Sequence, residues 1–130
     1  MSASRVRWRR VLIVLEAVTG VAAVIGGLLL VIAPDGALLR ADPAVLAASP
    51  FRDWRLPGVL LAVLVGFGFL VTAVWQSRRG RWARELSMFA GAGLVAFESV
   101  ELVWLGFQPL EAVFAAVGLT IIALATTLEA

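Results

Sequence analysis

The most chemically informative residues of this sequence are two glutamates, Glu98 and Glu101, which lie in the third of four long apolar runs. Their spacing of three residues puts both carboxyl groups on one face of a helix, and we expect this face to point into a helix bundle. A charged residue near the centre of a membrane-spanning helix costs roughly 2.5 to 3.5 kcal/mol. We therefore expect these carboxyl groups to be either protonated or paired.

A polar cluster is expected around this pair at the outer side of the bundle. Arg52 and Arg55 come just before the second apolar run and carry guanidinium groups, which bind carboxylates strongly. The predicted role is an arginine–carboxylate contact that ties the outer segment to the bundle. A proton-relay or binding site and an interface with a partner subunit are the alternatives. The predicted cluster consists of Glu98, Glu101, Gln108, Glu111, Arg52 and Arg55.

Metal binding and catalysis have little support in the sequence. The cluster's oxygens could hold a hard cation such as Mg²⁺ or Ca²⁺, but their spacing matches no metal-binding motif, so we expect neither a metal nor a cofactor. The chain has no cysteine, histidine or tyrosine, which excludes disulfides, Cys or His metal ligands and an imidazole base. Hydrolysis by two carboxylates would also need water and a substrate channel. The sequence therefore predicts a non-enzymatic protein.

A third intramembrane acid, Glu16, lies in the first apolar run. At 1.5 Å per residue it is about 9 Å inward of the centre of that run and about 15 Å in depth from the outer pair. The two positions therefore cannot form one site. We expect this inner-leaflet acid to pair with Arg81 or Arg84. The alternative is a proton-coupled role, which a lone glutamate in a first span can serve.

The elements that must position these acids are four apolar helices. The chain is 62% hydrophobic with a mean hydropathy of +0.98, which is more apolar surface than a small soluble core could bury. Each run is near or above the ~20 residues needed to cross the hydrocarbon. We predict one integral membrane domain, 1–130, folded as an all-α transmembrane four-helix bundle with up-and-down topology. The predicted spans are 11–33, 58–76, 82–105 and 109–128.

Small and polar residues form one stripe along each run, at helical spacing. Helices in lipid gain no hydrophobic driving force from associating, so they pack where small side chains let their backbones approach. We therefore predict that the stripes are contact faces and that large Leu, Val and Phe side chains face lipid. The stripes are Glu16, Thr19, Ala23 and Gly27; Gly58, Ala62, Gly66 and Ala73; Ser87, Gly91 and Glu98; and Glu111, Ala115, Gly118 and Ala125.

The placement of arginines predicts the orientation in the membrane. The N-terminal arm and the second connection carry four arginines each, whereas the first connection carries three. Arginines concentrate on the cytoplasmic side of a membrane protein, so we expect both termini on the cytoplasmic side of a bacterial inner membrane. The net charge of +2 comes from arginines that flank spans rather than from a basic face. We therefore expect the lipid bilayer, and no nucleic acid, as a partner.

The first connection, from Pro34 to Pro57, is the only sizeable segment predicted outside the membrane. Asp42 followed by Pro43 is typical of a helix start, so we predict a short helix there. Its Val45 and Leu46 make this segment amphipathic. We expect it to lie on the outer membrane interface between the first and second spans.

Four short motifs mark the outer ends of the spans. They are Asp35-Gly36, Ser49-Pro50-Phe51, Pro57-Gly58, and the set Glu101, Gly106 and Gln108. In these motifs the chain resembles a family of small bacterial four-span integral membrane proteins of unknown function. The resemblance covers most of the chain. It implies the four-span architecture and marks the outer cluster, and it implies no particular activity.

Together these observations predict a small non-enzymatic inner-membrane protein. We expect an accessory or assembly subunit, or a self-associating scaffold, present as a homo-oligomer or within a larger membrane complex. The alternative is a proton- or cation-coupled transporter or channel that depends on the carboxyl groups of Glu98 and Glu101.

Overall fold

The computed structural model describes residues 3–39, 43–106 and 109–128, and within these ranges the chain is helical with no strand. The predicted helix cap Asp42 and the predicted cluster member Gln108 lie outside the described residues. The helices of the described part are α1 (Ala3–Ile32), α2 (Arg55–Ser77), α3 (Ala83–Leu105) and α4 (Pro109–Thr126).

Three of these helices are long and apolar enough to cross a membrane. The stretches Val6–Ile32, Arg55–Ser77 and Ala83–Leu105 contain 27, 23 and 23 residues. At 1.5 Å per residue each is at least about 34 Å long and exceeds the ~30 Å hydrocarbon layer. The described apolar part of α4, Glu111–Thr126, is shorter. The predicted all-helical fold is confirmed for the described residues, with three helices long and apolar enough to span a membrane, and the four-span bundle stays a prediction.

α1 and α2 form an antiparallel pair that meets through glycines. A Cβ added at Gly20 would lie 2.9 Å from the carbonyl oxygen of Gly66, and one added at Gly58 would lie 2.7 Å from that of Gly27. Neither position has room for a side chain, so the two backbones can approach this closely only at glycine. The predicted contact faces of α1 and α2 are confirmed at Gly27, Gly58 and Gly66.

α3 and α4 form a second antiparallel pair with the same kind of contact. A Cβ at Gly91 would lie 2.8 Å from the Gly118 carbonyl oxygen, and one at Gly118 would lie 2.9 Å from that of Gly91. At the end of the bundle that the sequence predicts to be the inner end, Arg84 Nε donates to the carbonyl oxygen of Ala125 at 3.2 Å, which satisfies an acceptor in the last turn of α4. α4 therefore runs back along most of α3.

The two helix pairs share one core. Leu12, Phe69, Leu94 and Ile121 are each at most 2% exposed, and one comes from each of the four helices. Large apolar side chains such as Phe89, which is 77% exposed, cover the outside. This distribution suits a chain surrounded by hydrocarbon, where apolar surface needs no burial. Contact between α2 and α3 is less extensive than contact within either pair.

The turn between α2 and α3 is built around Trp75. The Gly80 amide donates to the Trp75 carbonyl at 3.1 Å, and the Trp75 indole donates to the Arg81 carbonyl at 2.8 Å. Two other residues of this turn, Arg79 and Trp82, have φ angles of 50° and 63°, a region that L-residues rarely adopt. The hydrogen bonds to Trp75 hold this tight turn and set the start of α3 beside the end of α2.

The outer segment between α1 and α2 folds back on the bundle as a closed loop. Its ends are joined by a hydrogen bond of 2.9 Å from the Trp54 amide to the Pro34 carbonyl. The predicted short helix is present as a 3₁₀ helix, Pro43–Ala48. Its Leu46 is only 2% exposed, and this helix contacts α3. Leu46 therefore packs on the protein, where the sequence predicted contact with the membrane interface.

α2 is α-helical at both ends and π-helical in the middle. Its segments are Arg55–Leu60, the π-helical Leu61–Phe67, and Gly68–Ser77. A π-helix is wider than an α-helix because its hydrogen bonds join residues five apart. It therefore rotates the side chains that follow it relative to a continuous α-helix. This segment borders the cavities described below.

Candidate functional site

Glu98 lies at the contact between α3 and α4, on the same buried face of α3 as Ser87 and Leu94. It is 5% exposed, and it makes no hydrogen bond or ion pair with any residue that the structure describes. Together with Glu111 of α4 it lines a narrow cleft of about 130 Å³. Glu101 and Glu111 are both close enough to interact with it electrostatically. The cleft thus brings the carboxyl groups of Glu98 and Glu111 together, with that of Glu101 nearby.

Glu101, one turn further along α3, faces a different neighbour. It is partly exposed and lines a cavity between α2 and α3 instead of the cleft beside α4. Two side chains three residues apart point in directions that differ by about 60° around the helix axis. This difference lets Glu98 face α4 while Glu101 faces α2. Glu98 and Glu101 therefore lie close together in space but belong to two separate surfaces.

Arg52 and Arg55 take no part in the outer cluster. Both are exposed, and the salt bridge found among the described residues is Arg84–Glu85 at 3.8 Å. The Arg55 amide donates to Asp53 Oδ1 at 2.9 Å, a local bond that forms at the exposed start of α2. The predicted contact between these arginines and the buried carboxylates is wrong. Burying both ions would remove their hydration, and the arginines keep theirs by staying at the surface.

A second polar cluster lies near the inner end of the bundle and is centred on Gln76 of α2, which is 0% exposed. Its side-chain oxygen accepts a hydrogen bond of 2.7 Å from Arg9 Nη1 of α1. Its side-chain nitrogen donates to the Ala83 carbonyl at 3.0 Å and to Ser87 Oγ at 2.8 Å. The Gln76 amide therefore connects three helices. We call Arg9, Gln76, Ser87 and the adjacent Glu16 the inner polar cluster.

Glu16 is the member of this cluster that lacks hydrogen bonds. It is 0% exposed and lies beside the Ser87 hydroxyl, but neither carboxyl oxygen makes a hydrogen bond of acceptable geometry. The predicted pairing with Arg81 or Arg84 is wrong. Arg81 packs over the ring of Trp82 at 5.5 Å, and Arg84 bonds to the end of α4. Arg81 and Arg84 therefore have other partners, and neither forms an ion pair with Glu16.

The inner polar cluster was missed because it lies at the ends of the predicted spans. Gln76 follows Thr72 at helical spacing on the buried face of α2, and Arg9 precedes Leu12 on that of α1. The contact stripes read from the sequence began at Glu16 and stopped at Ala73. Continuing the α2 stripe by one turn would have included Gln76, and continuing the α1 stripe by two turns would have included Arg9.

An apolar groove, which we call the lateral groove, runs between α2 and α3. It consists of an outer cavity of about 390 Å³ and an inner cavity of about 500 Å³. Leu64, Gly93 and Phe97 line both cavities, so the two cavities are adjacent. Leu64 is 60% exposed, which leaves the groove open on its side. The outer segment closes the outer end with Leu46 and Phe51.

The chemistry available at these surfaces is that of isolated carboxyl groups. Among the described residues, no group of three His, Cys, Asp or Glu side chains is arranged to hold a metal ion. A carboxyl group inside a membrane that lacks a basic neighbour can bind a proton, a basic side chain of another chain, or an organic cation. Among the described residues, Glu98 in the cleft and Glu101 in the lateral groove are two such groups. Glu16 shares the inner polar cluster with Arg9, but its carboxyl oxygens make no hydrogen bond there.

No protein-family model, curated protein or solved structure matches this chain. The resemblance to small bacterial four-span proteins therefore stays a prediction.

Proposed function

We propose that this chain is a small, non-enzymatic protein of the bacterial inner membrane that serves as an accessory or assembly subunit, or as a self-associating scaffold. In this proposal it crosses the bilayer four times, with both termini in the cytoplasm. Its function is to hold another membrane-embedded chain, or another copy of itself, through a charged contact at the outer end of the α3–α4 pair.

The antiparallel course of α4 supports four spans. Its 18 residues extend about 27 Å, close to the ~30 Å of hydrocarbon that a span must cross. The bond between Arg84 and Ala125 puts the end of α4 beside the arginine-rich second connection. A high density of arginines marks the cytoplasmic side, so this contact supports a cytoplasmic C-terminus.

The observation that carries the assembly function is the state of Glu98. This side chain is 5% exposed and has no hydrogen bond or ion pair with the described residues. A carboxyl group at such a depth is unfavourable unless it is neutral or paired. A buried ion without a charge partner is strongly destabilising. Binding a second chain that supplies a cation beside Glu98 would remove this cost, so the unpaired acid favours association.

Two sources can supply that cation. A partner protein can present a lysine or arginine from a transmembrane helix, and in that case this chain is an accessory subunit of the partner's complex. A second copy of this chain can present Arg52 or Arg55, which are exposed near the start of α2, and this gives a scaffold. Both contacts would lie toward the outer side of the membrane, and both require the negative charge of Glu98.

The test is the dependence of assembly on Glu98. The tagged full chain is crosslinked in native membranes, extracted in a mild detergent and sized by native mass spectrometry. We expect the wild type in a complex larger than a monomer, and Glu98→Gln as a monomer at the same concentration. Glu85→Gln removes an equal charge at the inner end of α3 and should leave the complex intact. A wild type that is monomeric both in membranes and in detergent would contradict the proposal.

A second candidate function is carboxylate-dependent transport of protons or cations. It is favoured by the electrostatic proximity of Glu98, Glu101 and Glu111 at one end of the bundle. Transport requires flux through the protein alone, whereas assembly does not. Purified chain in liposomes should therefore show proton-coupled flux that is lost in Glu98→Gln and Glu101→Gln if this candidate is correct. Flux equal to that of empty liposomes would eliminate it.

A further inference from the structure

The outer cavity of the lateral groove has the composition of a ligand site. Its volume of about 390 Å³ lies within the roughly 300–1,000 Å³ usual for small-molecule pockets. Its lining is apolar apart from one titratable side chain, Glu101. Pockets that bind organic ligands combine a large apolar surface with a few polar groups that set orientation. In this cavity the orienting group is a carboxyl.

Glu101 has no cationic partner among the residues that the structure describes. It makes no hydrogen bond or ion pair with the described residues, and Arg52 and Arg55, which flank the cavity-lining Phe51 and Trp54, are exposed. Aromatic rings also line this cavity. Phe51 and Trp54 of the outer segment and Trp104 of α3 all line it. Phe51 and Trp104 pack edge to face, with centroids 5.8 Å apart and planes at 79°.

A carboxylate together with several aromatic rings is a combination that recognises cations. The faces of aromatic rings attract positive charge, and such contacts are stronger when water is excluded. An uncharged acyl chain would fill the apolar space but would leave Glu101 without a partner. An anion would be repelled by Glu101 and by the neighbouring Glu98 and Glu111. Charge complementarity therefore selects a positively charged occupant.

The depth of Glu101 in the hydrocarbon layer also indicates which kind of organic cation can reach it. It lies seven residues beyond the middle of α3, Ala83–Leu105, which is about 10 Å from the centre of the helix and inside a hydrocarbon half-layer of about 15 Å. A phospholipid headgroup stays in the polar interface outside that layer. The cationic centre that meets Glu101 must therefore belong to a molecule that enters the hydrocarbon itself.

We propose that the outer cavity of the lateral groove binds a lipophilic organic cation, with its charge beside Glu101 and the aromatic rings and its apolar body between α2 and α3. Entry is from the side, through the open face at Leu64. This site is separate from the Glu98 cleft. The proposal therefore goes beyond assembly and does not depend on it.

The test uses two probes of nearly identical size and shape but opposite charge, tetraphenylphosphonium and tetraphenylborate. The purified full chain in an uncharged detergent is dialysed to equilibrium against each probe, and binding to empty micelles is subtracted. We expect saturable binding of tetraphenylphosphonium, at one per chain, and no saturable binding of tetraphenylborate. Equal binding of the two probes, or no binding of the cation, would overturn the proposal.

Two variants separate the charge from the shape of the cavity. Glu101→Gln keeps the shape and removes the charge, so it should weaken binding of the cation about tenfold or more, equivalent to about 1.4 kcal/mol. Gly93→Leu should block the groove without disturbing the fold, because a Cβ at Gly93 meets no atom within 4 Å. Glu85→Gln, at the other end of α3, is the matched charge control and should bind as the wild type does.

The remaining outcomes are equally decisive. Unchanged affinity in Glu101→Gln would show that the carboxyl does not meet the ligand, and unchanged affinity in Gly93→Leu would put the probe elsewhere. Displacement of the bound cation by phosphatidylethanolamine, but not by phosphatidylglycerol, would assign the cavity to an amine headgroup and overturn a hydrocarbon-soluble ligand. If Glu101→Gln fails to fold, the two probes and Gly93→Leu still decide the question.

Discussion

At the scale of single residues, Glu16 and Gln76 show how differently two buried polar side chains can behave. Both are 0% exposed. The Gln76 side-chain amide makes hydrogen bonds to Arg9, Ala83 and Ser87. Neither oxygen of Glu16 makes a hydrogen bond of acceptable geometry with a described residue, although the Ser87 hydroxyl lies beside it. A buried polar group stabilises a fold only when its hydrogen bonds are formed. The two residues should therefore respond in opposite ways to the same substitution.

We predict that Gln76→Leu lowers the free energy of unfolding by about 2 kcal/mol or more, since it breaks three hydrogen bonds, one of them to a charged group. Arg9 and the Ala83 carbonyl would also lose their bonds to this amide. Thermal unfolding in detergent, followed by circular dichroism, measures the change. Equal melting temperatures for Gln76→Leu and the wild type would show that the inner polar cluster does not stabilise the fold.

Glu16→Leu is predicted to leave stability unchanged or to raise it by about 1 kcal/mol, because it replaces an unsatisfied buried group by an apolar one of similar size. The same melting experiment applies. A loss of stability comparable to that of Gln76→Leu would mean that Glu16 has a stabilising partner after all. Because both variants introduce leucine at a fully buried position, each serves as the control for the other.

At the scale of helices, glycine placement decides which faces meet. The glycine contacts between α1 and α2 and between α3 and α4 lie at the positions where the sequence showed small-residue stripes. Other glycines on the same helices face open space, as Gly93 does on α3. The difference between Gly91 and Gly93, two residues apart, is therefore a direct test of the packing within the second pair.

Gly91→Leu should reduce stability by about 1 to 3 kcal/mol, the usual range for forcing extra atoms into a packed contact. Its Cβ would lie 2.8 Å from the Gly118 carbonyl oxygen and 2.9 Å from Ile122. Gly93→Leu places the same side chain in open space and should not lower the melting temperature, since leucine favours helix more than glycine does. Similar losses for both variants would argue against the observed contact between α3 and α4.

The element scale also shows where helical periodicity fails as a guide. The sequence predicts α2 as one regular span, whereas its central segment Leu61–Phe67 is π-helical. Nothing in the residues of that segment distinguishes a π-helix from an α-helix. The π-helical segment includes Leu61 and Leu64, which line the lateral groove.

At the scale of the whole molecule, the open question is how many times the chain crosses the bilayer. Three helices qualify by length and hydropathy, and α4 is antiparallel to α3 but shorter. Because the chain contains no cysteine, single cysteines can be introduced without removing any. Ala47, Ser77 and Thr127 are exposed positions in the outer segment, at the end of α2 and after α4.

We predict that a membrane-impermeant maleimide labels Ala47→Cys in intact spheroplasts, and that it labels Ser77→Cys and Thr127→Cys only after permeabilisation. The reason is the concentration of arginines in the second connection, which favours the cytoplasm, together with a fourth crossing by α4. Labelling is measured by the mass shift of the purified chain. Thr127→Cys labelled together with Ala47→Cys in intact spheroplasts would show that α4 does not cross.

Much of this architecture could be predicted from local features of the sequence. The helices lie close to the predicted spans because long apolar runs need internal hydrogen bonds in a membrane. Gly27, Gly58, Gly91 and Gly118 were assigned to contact faces correctly because helical spacing and small size are visible in the sequence. The location of Glu98 on the buried face of α3 follows from the same periodicity.

The partners of the polar groups could not be predicted, because they depend on how far each helix is rotated and shifted against the next. A rotation of about 60° separates Glu98 from Glu101 and sends them to different surfaces. Arg52 and Arg55 remain outside the cluster, and Gln76 rather than an arginine contacts Ser87 beside Glu16. The sequence alone determined that the chain is helical and suited to a membrane, since hydropathy and spacing are local properties. Only the tertiary structure decided which acids lack a cation and where the lateral groove opens, since both depend on the packing of helices distant in sequence.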